Sequence, residues 1–254
     1  MRKPAKAGSW YPSDPRALEE LLHSFIQKPE PRKINSAVVP HAGYACSGST
    51  AGKVFSVLPQ ADTYIIVGPN HHYPIVSVSN EPWLTPLGKV NVNSDVIEVL
   101  DIDIANEANK EDNSIELQLP FLQFLFTDFE IVPITMGVQE PESIQRVFDA
   151  VQRVADENTV LIASSDFTHY EPELAARTVD KWVIEPILEL NTQEFLARSR
   201  STSLCGFGPI AIAIKFAKHR GGERGELVDY STSADTCGNS AAVVGYAGIV
   251  MPDA

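Results

Sequence analysis

Apolar residues along this chain fall into short unbroken runs that alternate with longer amphipathic stretches. Ala37-Val38-Val39, Tyr64-Ile65-Ile66-Val67 and Val160-Leu161-Ile162-Ala163 read as strands buried on both faces, and Ile131 to Thr135 as another despite Pro133. Between them the apolar spacing turns helical. Asp14 and Pro15 mark a helix start, followed by a stripe of Leu18, Leu21, Leu22, Phe25 and Ile26. Further helices are expected over 49–58, over 113–125 with a kink at Pro120, over 141–155, over 173–190 and over 209–218. Weaker strands are expected at 75–78 and 90–92, and two more at 227–230 and 242–250. The alternation predicts an α/β fold, a three-layer α/β/α sandwich. No long helix separates the last two strands, so the central sheet should be mixed. No linker, repeat or charge block divides residues 1–254, which predicts a single domain.

Composition narrows the function classes. Twenty Lys and Arg against 33 Asp and Glu leave a net charge of −13, the wrong sign for gripping nucleic acid or an anionic membrane surface. The opening MRKPAKAGSWYP is not a signal peptide, and the three cysteines, at 46, 205 and 237, are too scattered for a disulfide framework. A cytoplasmic protein is expected.

Chemistry gathers where strands end. His41 follows the first strand, His71 and His72 the second, and Ser165, Asp166 and His169 the one after 163; Asp235 and Cys237 follow the strand at 227–230. Ligands of α/β sheets bind beyond the carboxyl ends of strands. Four of six histidines lie at such ends, with carboxylates close by, while His23 and His219 fall in helices. A transition metal is the simplest reason to gather imidazoles with a carboxylate. Two His and one carboxylate favour non-haem Fe(II), whereas a thiol in third place favours copper or zinc. Side chains of adjacent His71 and His72 diverge on an extended chain, so one of the two is the expected ligand. Other patterns are weaker. Ser165, Asp166 and His169 lack a nucleophile elbow. Gly48 to Lys53 is one residue short of a phosphate loop, and Gly206-Phe207-Gly208 fits helix initiation better than a dinucleotide turn. Cys46 and Cys205 read as small buried hydrophobes. Glu116 reads equally as a capping or a catalytic carboxylate.

Several of these segments together resemble the Memo family, including its prokaryotic AmmeMemoRadiSam system protein B members. They are Ala7 to Tyr11, Pro40 to Tyr44, Gly68 to His72, Ser114-Ile115-Glu116, Ser164 to His169, Cys205-Gly206 and Val244 to Ala247. The resemblance implies a fold like that of class III extradiol dioxygenases, which hold Fe(II). It implies metal ligation by His41 and His71, with His169 a further site histidine facing the metal pocket; Asp166 and Glu116 are the other candidate catalytic residues. For the third ligand, the family cysteine after the Asp-Tyr strand aligns on Thr236, flanked by Asp235 and Cys237, and Cys237 is preferred. Asn113 stands where many members have histidine. The implied activity is metal-dependent redox chemistry, with iron or copper, on O2 or a small substrate. The alternatives are a non-catalytic ligand- or peptide-binding protein and a metal-assisted hydrolase. A radical-SAM protein and an AMMECR1-type protein are the implied partners.

Overall fold

The computed structural model describes residues 1–26 and 28–253. The Asp14 carboxylate accepts the Ala17 N–H at the start of α1 (Pro15–Phe25), where Pro15 forfeits no helical hydrogen bond. Leu18, Leu22 and Ile26 of the expected stripe are buried. The chain continues through β1 (Ile34–Val39), α2 (Tyr44–Phe55), β2 (Thr63–Pro69), β3 (Val76–Val78), β4 (Trp83–Thr85) and β5 (Gly88–Val92). After α3 (Ser94–Val99), two 3-10 turns at Asn106–Asn109 and Glu116–Gln118 precede α4 (Leu119–Leu125) and β6 (Glu130–Met136). Next come α5 (Pro141–Val154), β7 (Thr159–Ser164), β8 (His169–Glu171), α6 (Glu173–Leu188), α7 (Thr192–Ser199) and α8 (Phe207–His219). The chain ends with β9 (Glu226–Thr232), α9 (Ser233–Thr236) and β10 (Val243–Pro252).

The strands form one mixed sheet in the order β4-β5-β6-β2-β7-β1-β10-β8, with β3 paired to β6 and β9 to β10. β5, β6, β2, β7 and β1 are parallel; β10 returns antiparallel to β1. Helices cover both faces. Ser36 on β1 donates to the Ala213 carbonyl of α8, while Gly248 on β10 faces Val54 and Thr50 of α2. Every residue of β1, β2 and β7 is buried, which accounts for their continuous apolar runs. Pro133 is accommodated because β5 pairs with β6 only as far as Ile131, and β3 pairs with it only over Ile134–Met136. In that gap the Pro133 carbonyl accepts the Ser79 N–H.

Two helices depart from expectation. α2 begins at Tyr44, five residues early, because the small residues there serve packing: Gly48 and Gly52 lie directly against Phe25 of α1. The expected helix over 113–125 is a 3-10 turn followed by α4, and Pro120 sits in the first turn of α4 instead of kinking a longer helix. Three neighbouring parallel strands, β2, β7 and β1, thus deliver the segments beginning at Asn70, Ser165 and Pro40 to one end of the sheet.

Candidate metal centre

His41 and His71 leave the ends of β1 and β2 with their imidazole centroids 5.4 Å apart, edge to face. The third member of the group is Cys205. One ligand atom from each of His41, His71 and Cys205 lies within 4.8 Å of the others, a grouping that could hold a metal ion. The Cys205 Sγ is 3.4 Å from His41 Nε2.

Hydrogen bonding aims both imidazoles. Ser164 at the end of β7 donates its hydroxyl to the Ser114 carbonyl, which can only accept, at 2.6 Å. Gln118 Nε2 donates to the same Ser164 Oγ, and its other proton goes to the Pro40 carbonyl. Ser164 has no second proton, so the 2.8 Å contact to His41 Nδ1 must be donated by the ring. That leaves the lone pair of His41 on Nε2, facing Cys205. Burial lowers the His41 pKa, with neighbouring His71 in the same direction and Asp166 opposing. The shift favours the neutral ring, the form that a metal ligand must take.

His71 is aimed by Asp112. One Asp112 oxygen accepts both the His71 backbone N–H at 2.9 Å and Nδ1–H at 3.0 Å. Burial alone would raise the Asp112 pKa, but hydrogen bonds from His71 and Ser114 outweigh it and hold the carboxyl well below the usual range. An ionised Asp112 fixes the proton on Nδ1 and frees Nε2. The arrangement is the carboxylate–histidine pairing that supports metal ligands. The His71 side chain is 36% exposed, so the group opens to solvent on this side, while His41 is buried. His72 is exposed and is not a member of the group.

Two glycines permit the assembly. A Cβ at Gly68 would lie 2.3 Å from Ser114 Oγ, so glycine lets the 112–114 segment close on the end of β2. A Cβ at Gly206 would lie 2.7 Å from the Ser164 carbonyl oxygen, so glycine seats Cys205 against the end of β7. There the Cys205 Sγ accepts the Asp166 N–H, and burial pushes its thiol up to about 12, with the Asp166 charge adding to the effect.

Other expected site residues lie elsewhere or act differently. Cys237 is bonded to Cys46, 191 residues away, which corrects both its assignment as a ligand and the reading of three unpaired cysteines. Asp235 is turned back by the short α9. It closes a capping box with Thr232 and pairs with Arg177 at 2.7 Å, so it does not join the histidines. Glu116 is fully buried and committed: its oxygens accept the Ala5 N–H, the Lys6 N–H and the Tyr11 hydroxyl and pair with Arg2 at 2.7 Å. It anchors the N-terminal segment. Asp166 is buried and accepts the His41 backbone N–H, fixing the loop after β1. His169 is half-buried, and its Nδ1–H donates to the Ser203 carbonyl, leaving the lone pair on Nε2. Asn113 donates to the His41 carbonyl. Cys205 and Asp112 were not anticipated as site residues; Cys205-Gly206 carried a signal as a matching pair, while Asp112 carried none.

The sequence profile of the Memo-like protein family matches residues 2–250. This chain belongs to the Memo-like family. A MEMO1 family protein of Archaeoglobus fulgidus is 44% identical, covering 99% of each chain. One from Methanosarcina barkeri is 42% identical over 99% of this chain and all of its own. Among solved structures, the uncharacterized protein JW3007 of Escherichia coli K12 shares the fold of this Memo-like chain with a TM-score of 0.52. It is 11% identical and covers 86% of this chain and 100% of its own. No helix among the described residues is long and apolar enough to cross a membrane.

Proposed function

We propose that this Memo-like protein is a metal-dependent redox enzyme whose centre is formed by His41, His71 and Cys205. The observation that carries this reading is the convergence of three ligand atoms within 4.8 Å, with both imidazole lone pairs freed by hydrogen bonds to Ser164 and Asp112. Two imidazoles and a thiolate suit copper or iron, and zinc among the redox-inert ions. When bound, a copper or iron ion supplies the electron-transfer chemistry that none of these side chains offers. The residues supply the rest. Cys205 gives up its proton on binding metal, since the thiolate is the ligand form. Asp112 and Ser164 hold the imidazoles in place, and Asp166 holds the His41 backbone. O2 or a small substrate enters from the exposed His71 side. There His169 Nε2 can take a proton from the substrate or return one.

The radical-SAM and AMMECR1-type proteins remain proposed partners. An iron–sulfur cluster would have to be theirs, since Cys46 and Cys237 are bonded together and Cys205 belongs to the histidine pair.

The test is oxygen uptake by metal-loaded protein with catechols and simple reductants. Turnover above that of the free ion is expected, with His169→Ala lowering kcat by about 10² to 10⁴ while metal content is kept. Uptake no faster than the free ion with every reductant would contradict the proposal.

A further inference from the structure

A groove of about 760 Å³ lies between α6 and β9, within the range of small-molecule sites. Its apolar walls are Trp182, Ile184 and Leu188 from α6 with Leu227 and Tyr230 from β9. Trp182 and Leu227 are exposed, so the groove offers apolar surface to solvent.

The local sequence builds the groove. Pro186 within α6 has no N–H for the Trp182 carbonyl, and Arg198 donates to that carbonyl instead, at 2.6 Å. The guanidinium of Arg198 also lies over the Trp182 ring and pairs with Glu185, neutralising an acid of the lining. Across the groove, Gly225 lets the strand approach closely enough to donate its N–H to the Leu188 carbonyl. Arg177 is committed to Glu173 and Asp235. Lys181 and Arg224 have no ion-pair or hydrogen-bond partner among the described residues. Glu189 is the one lining acid likewise unpaired, so two free cations face one free anion at an apolar wall.

We infer that this groove is a second ligand site, taking an amphipathic organic anion whose apolar body lies against Trp182, Leu188 and Leu227. Its acidic headgroup pairs with Lys181 and Arg224. Charge complementarity selects the occupant: a neutral or cationic amphiphile would leave both cations unpaired. The wall is also continuous with the loop bearing His169. The Tyr230 hydroxyl donates to the Asp180 carboxylate, whose other oxygen accepts the N–H and hydroxyl of Thr168.

The probe is decanoate, titrated into the whole protein and followed by Trp182 fluorescence and calorimetry, with Trp182→Phe to assign the signal. Saturable one-to-one binding is expected. It should be at least tenfold tighter than for decanol or decyltrimethylammonium, and weakened at least tenfold in the Lys181→Gln, Arg224→Gln double variant. Leu227→Asp, at an exposed position that should leave folding intact, should abolish it. The inference is overturned by absent saturation, by equal affinity for the three probes, or by binding that survives both variants. Self-association through this face without anion binding, read by sedimentation, would overturn it in favour of a second copy. None of these outcomes depends on metal at the histidines.

Discussion

A histidine can offer a lone pair to a metal only from the nitrogen that its neighbours leave free. Asp112 makes that choice for His71, and Ser164, itself fixed by Gln118 and the Ser114 carbonyl, makes it for His41. Removing the charge of Asp112 should therefore act on metal without touching a ligand. Asp112→Asn is expected to weaken metal affinity about 10- to 100-fold, measured by competition with a chelating indicator. Unchanged affinity would mean that His71 needs no such support. Glu116 is engaged in the same way, but with the N-terminal segment: its oxygens hold Arg2, Tyr11 and two backbone amides there. Neither role was legible from the residue alone. Asp112 sits in a polar stretch, Glu111-Asp112-Asn113-Ser114, where nothing in the spacing separates a site carboxylate from a solvated one.

Elements carry the site through their ends. The buried runs of β1, β2 and β7 were plain in the sequence because a strand covered on both faces must be apolar throughout. With them came the position of His41 and His71 at strand ends. The segment after β9 was not legible. The sequence offered Asp235 or Cys237 as the third metal ligand, beside the histidines. Instead, Asp235 caps the one-turn α9 and Cys237 turns to Cys46 at the start of α2. Turn-rich sequence states that the chain bends but not where it then points. Cys205 was read as a buried hydrophobe since a lone cysteine before a helix has no periodicity to mark it. Its glycine neighbour was the clue. Gly206→Ala would press a methyl group into the Ser164 carbonyl. It should cost about 1 to 3 kcal/mol in urea unfolding and displace Cys205 from the histidines. A variant as stable as the parent would show that the loop before α8 is free to shift.

Across the molecule, helices on both faces of one sheet leave its ends and its outer strand to function. Asp180 of α6 joins Thr168, the residue before His169, to Tyr230 on β9. Burial raises its pKa above the ordinary 3.8, although the hydrogen bonds oppose the shift. A carboxyl raised in the folded state favours folding below the unfolded value, and that advantage is lost as pH rises through the folded value. The stability difference between the parent and Asp180→Asn should therefore move in the variant's favour as pH rises from about 4 toward 7, in paired urea titrations. Movement toward the parent over that range would contradict the sign. The −13 charge spoke against nucleic acid at the level of sequence but could not locate the groove edged by Lys181 and Arg224, which the packing of α6 against β9 creates.

His41, His71 and Cys205 are proposed to form one metal site. It is tested most directly by metal content of protein purified without a metal-affinity tag, loaded with copper or iron and freed of excess ion. The parent and Cys237→Ser should each hold one metal per chain, with a thiolate-to-metal absorption band, and Cys205→Ser should lose the band and most of the metal. Full metal in Cys205→Ser, or its loss in Cys237→Ser with the fold intact, would contradict the account.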